Sequence, residues 1–210
     1  MNVPSLYSAL KKRYSVGSWW PAETPFEVVI GAVLTQQASW KNVEKAIANL
    51  KRAKLITARA ISRAPLSKLE KCVRSTGFYK QKARRLKGIA KALARANLSK
   101  MELKEARAFL FSLHGVGPET ADSILLYAYN KPIFPIDAYT KRVCKRAKIA
   151  HTLNYEKLRA FFERELPRSA DIYKETHGML VELAKEFCRV KPRCRECALK
   201  RMCKRASEPK

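Results

Sequence analysis

Acidic residues are scarce in this chain of 210 residues: 18 Asp and Glu face 44 Lys and Arg, a formal net charge of +26. That exceeds what solubility requires and creates a field that attracts a polyanion, with strong salt dependence. A thermophile-like or ribosome-associated surface would carry similar charge, so charge alone does not identify the partner. No apolar run approaches the ~20 residues needed to span a bilayer. The N-terminus lacks a signal-peptide apolar region, so the expectation is an intracellular protein, cytoplasmic or nucleoid-associated, with no membrane partner. Sustained period-two alternation is also missing, as are repeats and low-complexity linkers, and the fold is read as all-α. The three histidines, His114, His151 and His177, share no ligand spacing and are assigned no role, except that His114 falls in a turn. Hydrophobic residues at 47% and three Trp nonetheless indicate a proper core, enough for one large or two small domains.

The most informative stretch is Leu113-His114-Gly115-Val116-Gly117-Pro118-Glu119-Thr120-Ala121-Asp122. Two glycines make a tight turn, and Pro118 suits a first helical position because its missing N–H would be unpaired there. The helix beyond carries Ala121, Ile124, Leu125 and Ala128 as an apolar stripe, and the one before carries Ala108, Phe109, Leu110 and Leu113. A glycine turn opening a helix aims N–H groups at a positive dipole end, a cradle for phosphate. This helix–hairpin–helix can grip a nucleic-acid backbone without reading sequence. About twenty residues on, Asp137 stands among Pro135, Ile136 and Ala138. Its ordinary reading is the N-cap of a helix over 138–147.

Four of the six cysteines crowd the end: Cys188, Cys194, Cys197 and Cys203, in a C-x5-C-x2-C-x5-C array. Such density in an intracellular chain suggests metal, since disulfides would not persist there. Structural zinc usually pairs two short knuckles around a longer gap. One short spacing between two five-residue loops suits the corners of an iron–sulfur cubane better, with zinc as the alternative. Basic residues from Arg189 to Arg205 surround the array and could meet phosphate. Cys72 and Cys144, single within helical patterns, read as buried thiols.

Elsewhere the chain reads as helices. Thr24-Pro25-Phe26-Glu27 is a capping box opening an apolar helix over 26–34. Ser39 caps the next, with Val43, Ala46, Ile47 and Leu50 on one face. Further helices are expected over 57–64, 67–75, 80–96, 100–112, 155–165 and 173–187.

Together the hairpin, the following aspartate and the terminal cysteine loop resemble the endonuclease III-like branch of the helix–hairpin–helix DNA glycosylases, over nearly the whole chain. The resemblance implies two helical domains with a DNA-binding cleft between them. One is a helical barrel with the hairpin over 22–132; the other joins 1–21 to 133–210 and carries a [4Fe–4S] cluster loop over 188–203. It also implies double-stranded DNA with a damaged base as partner, and a monomer. Leu34-Thr35-Gln36-Gln37-Ala38 is similar to the segment whose glutamine, here Gln37, fills the gap left by an extruded base. Ser75-Thr76-Gly77-Phe78-Tyr79-Lys80-Gln81-Lys82-Ala83 is similar to the loop carrying an apolar wedge, which makes Phe78 the wedge. Without the family, Phe78 would read as a turn residue packed under a helix. Gly115 and Gly117 then contact DNA, Asp137 is catalytic, and Cys188, Cys194, Cys197 and Cys203 hold the cluster.

Two positions depart from the branch. Members that also cut the strand carry a lysine two residues past the second hairpin glycine, which forms a Schiff base with the sugar; here Glu119 stands there. Five residues rather than six separate Cys188 from Cys194. Glu119, the Gly77 segment and Trp19-Trp20-Pro21 resemble the 3-methyladenine DNA glycosylase III group, although that group generally lacks the cluster loop. The resemblance implies a base pocket of Trp19, Trp20, Trp40 and Glu119. Stacking between electron-rich rings can select a cationic alkylated purine. By their residues alone, Trp19 and Trp20 would equally serve as a core plug tying down the N-terminus. The implied activity is monofunctional hydrolysis of the N-glycosidic bond of an alkylated purine. The alternatives are a bifunctional glycosylase/lyase on oxidised pyrimidines and a non-catalytic DNA-binding module.

Overall fold

The computed structural model describes residues 1–17 and 19–207; Ser18, residues 208–210 and the side chains of Arg205 and Ser207 lie outside the described residues. All regular elements among them are helical. In chain order these are α1 (Val3–Lys11), α2 (Pro25–Leu34), α3 (Trp40–Arg52), α4 (Ala58–Arg63), α5 (Leu66–Val73), α6 (Tyr79–Leu93) and α7 (Leu103–Phe111). There follow α8 (Pro118–Tyr129), α9 (Ala138–Ala147), α10 (Tyr155–Glu165) and α11 (Ala170–Glu186). The described chain divides into two compact units, Pro21–Tyr129 and Met1–Trp20 with Asn130–Lys210.

The first unit is built on α2 against α8. From Glu27 to Leu34 every residue of α2 is buried, as befits a helix apolar on all sides. Thr24 caps it by accepting from the Glu27 amide at 3.2 Å. The Glu27 carboxylate pairs with Lys51 at 3.0 Å instead of reaching back to the cap. Ser39 occupies the N-cap of α3 but makes no side-chain cap bond, a departure from the sequence reading. Helices α3, α5 and α6 pack in series, and α4 lies on α6.

In the second unit α11 packs with α9 and α1. Helix α1 was not anticipated from the sequence. Asn2 accepts from the Ser5 amide at 2.9 Å, and Val3, Leu6 and Leu10 are fully buried. Burial of each such side chain stabilises by about 1.5–3 kcal/mol, an upper bound. Phe134 stacks on Phe162 with ring centroids 4.4 Å apart and meets Tyr173 edge-on at 5.7 Å. Ser169 accepts from the Ile172 amide, so α11 begins three residues before the expected Tyr173. Cys72 and Cys144 are both buried, as read.

Candidate functional site

The hairpin lies between α7 and α8. Gly115 adopts φ +83°, a left-handed conformation that favours glycine. Space reinforces the choice, because a Cβ there would fall 2.5 Å from Cδ and Nε of Arg85. Gly117 has no positive φ, and nothing stands within 4 Å of where its Cβ would be. Its contribution is an open backbone face, which is exposed. Gln36 secures the turn by donating to the Gly115 carbonyl at 3.2 Å and to Thr120 Oγ1 at 3.0 Å. Arg85 in turn donates to Gln36 Oε1 at 3.2 Å. Arg107 grips fully buried Asp122 with two bonds, 2.7 and 3.1 Å, locking α7 to α8. Neither Gln36, Arg85 nor the Arg107–Asp122 pair carries a spacing signal in the sequence. Glu119 is exposed in the first turn of α8.

Gln37 and Phe78 share a rare feature. Both are non-glycine residues in left-handed backbone, with φ +53° and +45°. Such residues cost of order 1–3 kcal/mol and cluster at functional positions. Both are exposed, Phe78 to 67%. Phe78 therefore does not pack under a helix; it stands at the N-terminus of α6 with its ring in solvent.

In the other unit, Asp137 is the N-cap of α9. Its Oδ1 accepts from the Thr140 amide at 2.6 Å, so the ordinary cap reading holds. The remaining oxygen, Oδ2, lies 3.7 Å from Nε2 of His177, which is almost completely buried. Asp137 therefore keeps one oxygen uncommitted to its helix, beside a neutralised imidazole. Burial pushes His177 below the ordinary histidine range, and Asp137 pulls it back by less. Cys144, on α9, has its thiol pushed up to about 12, first by burial and then by the Asp137 carboxylate. The sequence assigned His177 no role; forty residues separate it from Asp137, and only the fold joins them.

Trp19 meets His177 edge-on at 5.5 Å and Trp20 edge-on at 6.1 Å. Its indole N–H donates to Glu182 at 2.9 Å, and Lys185 lies over its ring at 5.5 Å. Gly178 makes room for it, since a Cβ there would fall 2.8 Å from Trp19 Cγ. Trp19 is thus fastened to α11 and lies nearly perpendicular to the imidazole beside Asp137. Trp40 belongs to the other unit, half-buried as the first residue of α3.

After α11 the chain wraps through Cys188, Cys194, Cys197 and Cys203, all half-buried free thiols. Burial pushes the Cys197 thiol up, the Leu199 amide opposes this, and Cys188, Cys203 and Cys194 push it up further. Arg142 donates to the Cys188 carbonyl at 2.7 Å, and Arg146 approaches Cys188 Sγ at 3.4 Å. Leu199 is buried beneath the loop, and its carbonyl accepts from the Cys203 amide at 2.8 Å. Among the described residues no three His, Cys, Asp or Glu side chains close on a single-ion site. No helix among the described residues is long and apolar enough to cross a membrane.

Comparison with known proteins gives concordant matches. Residues 30–168 match the model of the HhH-GPD superfamily base excision DNA repair proteins. A Methanocaldococcus jannaschii protein named "Putative DNA repair glycosylase" is 44% identical over 209 residues, covering 96% of this chain and 95% of that one. Endonuclease III of Thermotoga maritima is 30% identical over 182 residues, covering 85% of this chain and 82% of its own. Among solved structures, Helicobacter pylori 3-methyladenine DNA glycosylase bound to 1,N6-ethenoadenine superposes with a TM-score of 0.78 at 29% identity, over 89% of this chain and 98% of that one.

Proposed function

The chain belongs to the HhH-GPD superfamily of base excision DNA repair proteins and is a DNA glycosylase, and from that premise we propose that it is a monofunctional enzyme releasing alkylated purines, such as 3-methyladenine, from duplex DNA. The observation that carries the monofunctional assignment is Glu119, exposed two residues past Gly117 in the first turn of α8. A carboxylate there forms no Schiff base with the sugar, so water is the nucleophile. Water attacks the anomeric carbon, the glycosidic electrons leave with the base, and Asp137 takes the water's proton. The anionic Asp137 also stabilises the oxocarbenium-like sugar. The Thr140 amide, at the N-terminus of α9, holds Asp137 Oδ1 and so orients the carboxylate.

Recognition is divided among the remaining residues. The open backbone face at Gly117, in the turn that Gly115 makes possible, receives a phosphate. Phe78 enters the stack and Gln37 fills the vacated position, and their exposure supports these tasks. Trp40 and Glu119, both in the Pro21–Tyr129 unit, are assigned to reading the damaged base. The resemblance to a glycosylase solved with ethenoadenine, an adduct of adenine, supports the alkylated-purine reading.

The cysteine loop fits an iron–sulfur cluster. A single ion holds its sulfurs at about 2.3 Å, whereas a cubane spaces four thiolates at its corners. Four half-buried free thiols on one loop, with Arg146 beside Cys188, suit the second donor set. Cys188, Cys194, Cys197 and Cys203 would hold a [4Fe–4S] cluster, which would pin this cation-rich loop.

The test is a panel of duplexes, each with one damaged base. Free 3-methyladenine and a strand that breaks only on alkali treatment are expected. Borohydride trapping of a covalent adduct, or release of oxidised pyrimidines alone, would overturn the assignment.

A further inference from the structure

Lys82 is the residue of the Gly77 segment to which the proposed function gives no task. It lies on α6 one turn beyond Phe78 and is 2% exposed. Its ammonium donates to the Leu34 carbonyl at 2.9 Å and to the Thr76 carbonyl at 2.7 Å. Leu34 ends α2, three residues before Gln37; Thr76 lies two residues before Phe78. The Lys82 amide also donates to the Phe78 carbonyl at 3.0 Å. One side chain therefore holds the roots of both exposed, left-handed residues.

This position is costly for a cation. Burial disfavours the ammonium, and the N-terminal turn of α6 adds the positive end of a helix. Arg85, one turn on, adds a like charge. Lys82 is accordingly pushed below the ordinary lysine range, by burial first and by Arg85 second. No carboxylate among the described residues compensates. An apolar side chain would avoid all three costs but would leave two buried carbonyls without donors. Neighbouring bonds serve the same two loops: Ser75 Oγ donates to the Asn42 carbonyl at 2.7 Å, and Arg85 holds Gln36.

We infer that Lys82 is a positioning residue that couples Gln37 to Phe78, fixing their separation so that wedge and gap filler enter the duplex as one unit. The inference rests on the base-flipping reading proposed above. Two independently mobile loops would each lose freedom on insertion, whereas loops tied together lose it on folding, before DNA is met.

The experiment needs no chemistry. A duplex carries a tetrahydrofuran abasic analogue opposite 2-aminopurine, whose fluorescence reports what fills the gap, while anisotropy reports affinity. Wild-type protein should change the emission, and Phe78→Ala and Gln37→Ala should each diminish the change. A flat response from wild type would sink the flipping reading, and this inference with it. With that control met, Lys82→Met should weaken binding at least about fivefold and lose the emission change. In the Phe78→Ala/Gln37→Ala background the same substitution should cost less than about twofold, because coupled residues are not additive. Lys82→Arg, which keeps the donors, should recover most of the signal and covers the case in which the methionine variant fails to fold. Equal losses in both backgrounds, or an unchanged emission response in folded Lys82→Met protein, would overturn the coupling.

Discussion

Asp137 and His177 face each other at 3.7 Å, carboxylate Oδ2 to imidazole Nε2, while Asp137 Oδ1 is bound to its own helix. The carboxylate is thus a structural cap on one oxygen and available for chemistry on the other. The two duties can be separated experimentally, because asparagine caps a helix about as well as aspartate.

Asp137→Asn is therefore expected to fold with near-normal stability and to bind duplex within about threefold of wild type. Its charge, needed as the sugar becomes cationic, is gone, so single-turnover base release should fall by at least about a hundredfold. Rapid-quench excision assays and anisotropy measure the two effects. Near-normal turnover would remove Asp137 from the mechanism.

His177 makes stability depend on pH in a definite direction. Unfolded, its imidazole takes a proton near pH 6.5; folded, burial holds its value lower. Below about pH 6.5 the unfolded state binds the extra proton first, so stability is full above that pH and is lost as pH falls toward the folded value. Thermal unfolding from pH 7.5 to 5 should show this slope, and His177→Gln should flatten it. Protonated His177 would also set a positive charge beside Asp137, so base release should share the acid limb and the variant should displace it. An unaltered pH–rate profile in the variant would limit His177 to packing.

The hairpin glycines are expected to respond differently to alanine. Gly115→Ala meets both φ +83° and the Arg85 side chain at 2.5 Å, and should destabilise the protein by about 1–3 kcal/mol. Gly117→Ala meets neither obstacle, so its melting temperature should hold. Duplex affinity should fall instead, because a methyl group would stand on the face assigned to phosphate. Denaturant titration paired with anisotropy separates the two; an affinity loss confined to Gly115→Ala would move the phosphate contact elsewhere.

How far the sequence carried these assignments depends on the range of the interactions. Pro118, Thr24 and Asp137 act within a turn of their own helix, so starts and caps were legible from adjacent letters. The hairpin was legible for the same reason, whereas Phe78 by its own letters reads as a turn residue packed under a helix, and only the family resemblance pointed to its exposure. Gln36–Arg85, Arg107–Asp122 and Asp137–His177 are joined only when distant helices pack, and no local spacing encodes them. Helix α1 lies between these cases. Asn2 and Pro4 are start signals, but its Leu6 and Leu10 acquire meaning only against α11.

Purified protein should be brown and contain about four irons per chain, as four thiolates around a cubane require. Cys197→Ser, which removes one of the four thiols, should bleach it and weaken duplex binding through the loop's cations. Iron and zinc analysis on anaerobically prepared protein decides the matter, and stoichiometric zinc without iron would show that the donor set holds a different metal.

The tryptophans should divide into two classes. Trp19 is bonded to Glu182, seated against Gly178 and in edge contact with His177. Trp19→Ala removes these three contacts of a half-buried ring and should cost about 1–3 kcal/mol of stability, and any loss of activity would be entangled with that. Trp40 is half-buried at the first position of α3, where truncation removes less packing. If it stacks on the extruded purine, the contact exists only after flipping, and about 1–3 kcal/mol of stacking is lost on substitution. Trp40→Ala should therefore reduce release of 3-methyladenine roughly tenfold or more, while melting temperature and affinity for undamaged duplex stay close to wild type. Parallel losses in excision and non-specific binding would instead make Trp40 a support for α3, and the base pocket would then have to be sought without it.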